Sequence, residues 1–133
     1  MAQYVGILDG KGKAWGVRIP DLPGCYGGGA SPEAAIADAM SAAREWIGHK
    51  AAKGEAPPSP RTVAQISKRG EIDARRGEAA VIVPVVLDAG RTVRANLTFD
   101  AGLLEAIDAE AARRGLTRSA FLASAARQRL GIA

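Results

Sequence analysis

Between Val93 and Phe99 apolar and polar residues alternate without a break, with Val93, Ala95, Leu97 and Phe99 set against Arg94, Asn96 and Thr98. Side chains alternate faces along a strand, so this spacing predicts a strand with one apolar and one hydrogen-bonding face. The period then changes. Asp100 stands where it can cap a helix from about Ala101 to Arg114, with Leu104, Ile107 and Ala111 on one face, and Gly115 offers the left-handed position that stops it. Thr117 can cap a second helix that carries Phe121, Leu122 and Ala125 and ends near Leu130. One strand cannot pair with itself, and two helices of about three turns give too thin a core. A second copy of the chain resolves both problems: the two strands pair antiparallel and four helices pack beneath them.

The first part of the chain has a different pattern. Gln3–Leu8 and Ala14–Ile19 are short runs containing Tyr, Val, Ile and Trp, separated by the turn signal Asp9-Gly10-Lys11-Gly12-Lys13. They predict a hairpin. Pro20-Asp21-Leu22-Pro23-Gly24 forces a turn, and Cys25–Gly29 predicts a third strand weakened by Gly27-Gly28-Gly29. Those glycines lack the ending and spacing of a phosphate-binding loop and are better read as backbone that bends or approaches a neighbour closely. Ser31, Pro32 and Glu33 then supply an N-cap, a first-turn proline and a first-turn acid. Ile36, Met40, Ala43 and Ile47 recur at helical spacing until Gly54 ends the helix near Lys53. Pro57-Pro58-Ser59-Pro60 makes a stiff connector, and Thr62–Lys68 predicts a short helix. Ala80–Leu87 predicts a strand that Pro84 confines to a sheet edge or a bulge. The expected fold class is α+β: a β-β-β-α-β sheet-and-helix domain over 1–88, a turn at Asp88-Ala89-Gly90, and a strand-helix-helix domain over 91–133.

Charge sharpens the contrast between the halves. Residues 1–90 carry 11 Lys/Arg against 10 Asp/Glu, whereas residues 91–133 carry 7 against 4, and all seven of those cations are arginine. Arginine favours fork-like contacts with phosphates and bases, and Arg and Asn are the side chains that suit bidentate contacts to guanine and adenine in the major groove. The polar face of the Val93–Phe99 strand is therefore expected to read DNA. A single cysteine, Cys25, and a single histidine, His49, rule out a disulfide framework and a conventional Cys/His metal site within one chain. Cys25 reads as a small core residue, His49 as a surface residue, and Trp15 and Trp46 as core or half-buried. The acids Asp9, Asp21, Glu33, Asp38 and Glu45 show no spacing that demands a two-metal site. No cofactor, metal or catalytic residue is expected, nor a membrane span, and a cytoplasmic protein is the default.

Arg91–Leu130, with its alternating strand, Asp100, Gly115 and the run Gly115-Leu116-Thr117-Arg118-Ser119-Ala120-Phe121, resembles the ribbon-helix-helix family of transcriptional regulators. That resemblance implies that Arg94, Asn96 and Thr98 face the bases of operator DNA in the major groove, and that the turn of Thr117, Arg118 and Ser119 holds a phosphate. Ile19-Pro20-Asp21-Leu22-Pro23-Gly24-Cys25, followed by Gly28 and Ser31-Pro32-Glu33-Ala34-Ala35-Ile36, resembles the HicB antitoxin signature. It implies a partial ribonuclease-H-like N-terminal domain joined to a DNA-binding tail. The implied function is that of a type II toxin-antitoxin antitoxin. Such a protein masks the active site of a HicA-type toxin, a small basic RNA-cleaving protein that depends on a histidine, and represses its own operon. The toxin-contacting residues are not marked in the sequence, and 54–78 is the least family-like stretch. The expected assembly is a homodimer through the C-terminal ribbon, with a tetramer through the N-terminal domains as a further option. Two other readings compete: a stand-alone ribbon-helix-helix repressor with a ligand-sensing N-terminal domain, and a metal-dependent nuclease.

Overall fold

A computed structural model describes residues 2–87 and 92–131. The chain divides into two compact units, Met1–Leu87 and Asp88–Ala133. The expected turn at Asp88-Ala89-Gly90, and Arg91 after it, lie outside the described residues.

In the first unit, strands β1 (Ala2–Lys11), β2 (Ala14–Arg18) and β3 (Tyr26–Gly29) precede helix α1 (Pro32–Ala52). The short helix α2 (Val63–Lys68), a 3-10 turn at Ala74–Arg76 and strand β4 (Ala79–Val85) complete it. The four strands form one antiparallel sheet in the order β3-β2-β1-β4, so the expected β-β-β-α-β succession is present. The hairpin is tighter than its turn signal suggests. Pairing continues to Lys11 opposite Ala14, which leaves only Gly12 and Lys13 as the loop. Polar residues at a strand's end can stay in the ladder when it projects into solvent, as Asp9, Gly10 and Lys11 do. Strand β4 lies at an edge and pairs in unbroken register from Ala79 opposite Leu8 to Val85 opposite Ala2. Pro84 is therefore accommodated by edge position and not by a bulge.

The two faces of the sheet are covered differently. On one, Tyr4, Val17, Val83 and Val85 pack with Ile19, Leu22 and Cys25 against Ala35, Ala39, Ala43 and Ile47 of α1. The helix face differs from expectation, since Ala35 and Ala39 are fully buried whereas Ile36 and Met40 are half-buried. The cause lies in β3. A Cβ on Gly27 would sit 2.3 Å from the Ala39 nitrogen and 2.6 Å from its Cα, and one on Gly29 would sit 2.7 Å from the Ala34 Cβ. Strand and helix backbones touch here, so only alanines fit on the contacting stripe and the larger side chains rotate to its flanks. On the opposite face, Val5 and Ile7 of β1 are sealed by Ile66 of α2, with Ile72 beside them.

Helix ends follow their cap residues. The Ser31 hydroxyl accepts from the Ala34 amide with Pro32 in the first turn, and Thr62 and Gln65 form a reciprocal capping box on α2.

In the second unit, helices α3 (Ala101–Arg113) and α4 (Arg118–Leu130) pack through Ile107 and Ala111, with Phe121 and Leu122 half-buried. The Asp100 carboxylate accepts from the amides of Gly102 and Leu103, and the Thr117 hydroxyl accepts from that of Ala120. Gly115, at φ +68°, closes α3: the Leu116 amide donates to the Ala111 carbonyl at 2.8 Å and the Gly115 amide to that of Ala112 at 3.1 Å. The expected strand at Val93–Phe99 is not formed in the single chain, where 92–100 carries no strand. A strand exists only through a ladder to a neighbour, and the second unit contains no other extended segment among its described residues to provide one. Among the described residues, no helix is long and apolar enough to cross a membrane.

Candidate functional site

Two regions present chemistry to the outside. The first is 92–100 with the α3–α4 junction. Arg94, Asn96 and Thr98 are exposed as the alternation requires, but so are their apolar alternates, with Val93 75% and Leu97 67% exposed. Leu103 and Leu116 add further exposed apolar surface at 53% and 40%. Only Phe99 of the expected strand is half-buried. The strand's two faces are thus both uncovered, and the hydrophobic one has no physical reason to remain so.

At the start of α4, Thr117 spends its hydroxyl on capping, while the first-turn amides behind it point outward with the positive end of the helix dipole. Ser119 is exposed in that turn. Arg118 is engaged within the chain. Its guanidinium donates to both carboxylate oxygens of Asp108 at 2.8 and 2.7 Å, joining α4 to α3 and holding the Asp108 carboxyl below its ordinary range. Arg113 and Arg114 similarly converge on Glu110, whose carboxyl is drawn down to about 2 by those two hydrogen-bonded partners. Three of the arginines in this unit therefore already have acidic partners, which charge counting alone did not reveal.

The second region is the sheet face around α2. Here the stretch 54–78, the least family-like in sequence, is tied down by ion pairs. The Arg18 guanidinium donates to both oxygens of Glu78 at 2.8 and 3.1 Å and to the Glu71 carbonyl at 3.2 Å. Glu78 also accepts from the Asp73 amide at 2.8 Å; these bonds, Arg18 foremost, hold its carboxyl below the usual range. Arg61 donates to Asp21 at 2.6 Å and to Glu71 at 2.7 Å, and its backbone amide donates to Asp21 at 2.8 Å. The buried Tyr4 hydroxyl donates to the Pro58 carbonyl at 2.7 Å, and burial pushes that phenol's pKa up.

The run Ile19–Cys25 proves to be a folding device. Ile19, Leu22 and Cys25, three residues apart, are all buried, and the Leu22 and Cys25 amides donate to the Ile19 and Leu22 carbonyls. Asp21 is the anchor for Arg61, and burial raises the Cys25 thiol pKa, as suits a core residue. His49 is exposed in the last turn of α1, and Trp15 and Trp46 are half-buried, donating to the carbonyls of Gly12 and Pro23. Among the described residues, no three His, Cys, Asp or Glu side chains gather as a metal site would require. Beside Arg18 lies an open depression of about 350 Å³, lined by Asp9, Gly16, Arg18 and Tyr26 among others. Nothing in the sequence pattern marked it, because its residues belong to three different strands.

The chain is similar along nearly its whole length to solved antitoxins. With the HicB antitoxin of Burkholderia pseudomallei it shares 27% identity at a TM-score of 0.54, covering 95% of this chain and 96% of that one. With the antitoxin HicB3 it shares 26% identity at a TM-score of 0.55, covering 96% of each. A chain of a HicA3 and HicB3 toxin-antitoxin complex matches in fold at 18% identity and a TM-score of 0.53, covering 63% of this chain and 98% of that one. No curated protein matches the chain. A family model described as the HicB-like antitoxin of bacterial toxin-antitoxin systems matches residues 4–126. With both units spanned by that match, the chain belongs to the HicB-like antitoxin family.

Proposed function

We propose that this antitoxin neutralises a HicA-type, mRNA-cleaving toxin by covering its active site with the first unit, and represses its own operon with the second. It performs no catalysis itself and acts in the cytoplasm. In this reading two chains pair their Val93–Phe99 segments into a ribbon, and Arg94, Asn96 and Thr98 enter the major groove. Thr117, Arg118 and Ser119 meet a phosphate at the start of α4. The observation that carries the DNA-binding half is the alternation itself: exposed Val93 and Leu97 interleaved with exposed Arg94 and Asn96. Pairing with a second copy buries the first set and presents the second. For the toxin-binding half, support comes from family membership and from the fold match to a chain in a toxin-antitoxin complex, which spans 63% of this chain.

The test separates the halves. Arg94→Ala and Asn96→Ala, made singly in the full chain, are expected to abolish operator binding in a gel-shift titration while toxin-induced growth arrest is still relieved. Loss of neutralisation in a folded Arg94→Ala protein would contradict the division of labour.

A further inference from the structure

The outer face of the sheet carries a bare patch that the fold itself does not require. Gly16 of β2 and Gly28 of β3 are register partners. A Cβ on Gly16 would meet nothing nearer than 3.7 Å, and one on Gly28 nothing nearer than 3.5 Å, which is ordinary contact; neither glycine has a left-handed φ. They differ in this from Gly27 and Gly29, which the helix forces to be glycine. Glycine weakens a strand interior, and where no internal neighbour demands it, it suits the close approach of an outside group. The floor at Gly16 belongs to the depression of about 350 Å³, whose walls include Asp9, Arg18 and Tyr26. Tyr26 is 66% exposed on that face, where it lies opposite Arg18.

The charge of the depression selects its occupant. Arg18 is its cation, but both terminal nitrogens are committed, to Glu78 and to the Glu71 carbonyl. Asp9, exposed, interacts with Arg18 through charge alone, so two carboxylates, Glu78 and Asp9, face one guanidinium and leave the depression net negative beside an exposed aromatic ring. A carboxylate next to a tyrosine face over a glycine floor suits a guanidinium or ammonium group. Strand addition at this edge is disfavoured because the outward-pointing Gly28 amide already donates to Asp38 at 2.9 Å. The favoured mode is a single side chain inserted as a knob.

We infer that the depression floored by Gly16, with its register partner Gly28 beside it and Asp9 and Tyr26 as walls, receives an arginine or lysine side chain of the toxin and is a focus of that interface. This rests on the proposed toxin-binding role of the first unit. The test uses the full-length chain and its cognate HicA-type toxin with the catalytic histidine replaced, titrated by calorimetry, with operator binding and thermal unfolding as controls. Gly28→Val crowds the floor from the position beside Gly16, Tyr26→Ala removes the ring and Asp9→Asn removes the charge. Each is expected to weaken toxin binding roughly tenfold or more while leaving operator binding unchanged. If the wild-type chain binds toxin and Tyr26→Ala and Gly28→Val bind equally well, the inference fails and the antitoxin reading stands. If the wild type does not bind toxin, both fail. A Gly28→Val chain that does not fold leaves the decision to the two exposed positions, Tyr26 and Asp9. Weakening by Gly28→Val without any effect of Asp9→Asn overturns the cationic assignment, as does competition for the site by a single-stranded RNA oligonucleotide.

Discussion

Adjacent glycines in β3 have opposite mechanical standing, and that difference is measurable. Gly27→Ala drives a Cβ to 2.3 Å from the Ala39 nitrogen, which is helix backbone and cannot swing aside. It should destabilise the first unit by about 2 kcal/mol or more, as overpacking of a close helix–strand contact does. Gly28→Ala meets only the Trp15 carbonyl at 3.5 Å and should be neutral or slightly stabilising. Thermal unfolding of the two full-length variants gives the comparison. Glu78 sets a second residue-scale expectation. Its carboxyl is depressed in the folded chain, chiefly by Arg18, so its contribution to stability is present above the ordinary glutamate pKa. That contribution is lost as pH falls through the depressed value. Glu78→Gln should cost about 1 kcal/mol near neutral pH, between the values for exposed and buried pairs because Arg18 is partly solvated. The variant's unfolding temperature should converge on that of the parent in acid. An undiminished gap at low pH would mean that Glu78 acts through packing and not charge.

At the scale of elements, what was legible in the sequence is what local rules determine. Ser31, Asp100 and Thr117 each cap the helix they precede, and Gly115 stops α3, because these effects act over a few residues. The sheet strands were visible from their Val, Ile and aromatic content. The buried stripe of α1 was not, since Ala35 and Ala39 replace the larger side chains only because Gly27 and Gly29 lie against them, a fact about distant neighbours. The arrangement of 54–78 was equally hidden: Arg61 with Asp21 and Arg18 with Glu78 are 40 and 60 residues apart in sequence, and no periodicity announces such pairs. The depression beside Tyr26 was invisible for the same reason. The proposed ribbon is the reverse case, in which the period of two was plain but a lone chain offers no partner. Leu97→Asp places a charge on the face that a second strand covers in the proposed ribbon. It should give monomers by light scattering at concentrations where the parent is dimeric, and no detectable operator binding. A Leu97→Asp protein that remains dimeric and binds DNA would show that pairing does not run through this segment.

For the whole molecule, the uneven charge of the two units determines how salt acts on it. The excess of three positive charges in 91–133 comes from arginines, yet Arg118 is held by Asp108, and Arg113 and Arg114 by Glu110. Counting cations therefore overstates the number available to phosphates. In the proposed complex Arg118 reaches DNA only by exchanging the Asp108 carboxylate for a phosphate, and that exchange leaves a carboxylate near the DNA backbone. Asp108→Asn removes both the competitor and the repulsion, so operator affinity should rise severalfold at every salt concentration. Arg118→Ala should lower affinity. Because it leaves one phosphate per chain without its cation, it should also flatten the plot of log affinity against log salt by about 1 for each such phosphate. Thermal unfolding guards the comparison, because both substitutions also cut the tie between α3 and α4. Gel shifts across a salt series decide the matter. If Arg118→Ala leaves the slope unchanged, Arg118 stays on Asp108 in the DNA complex and its role is to set the angle at which the Thr117–Ser119 turn is presented.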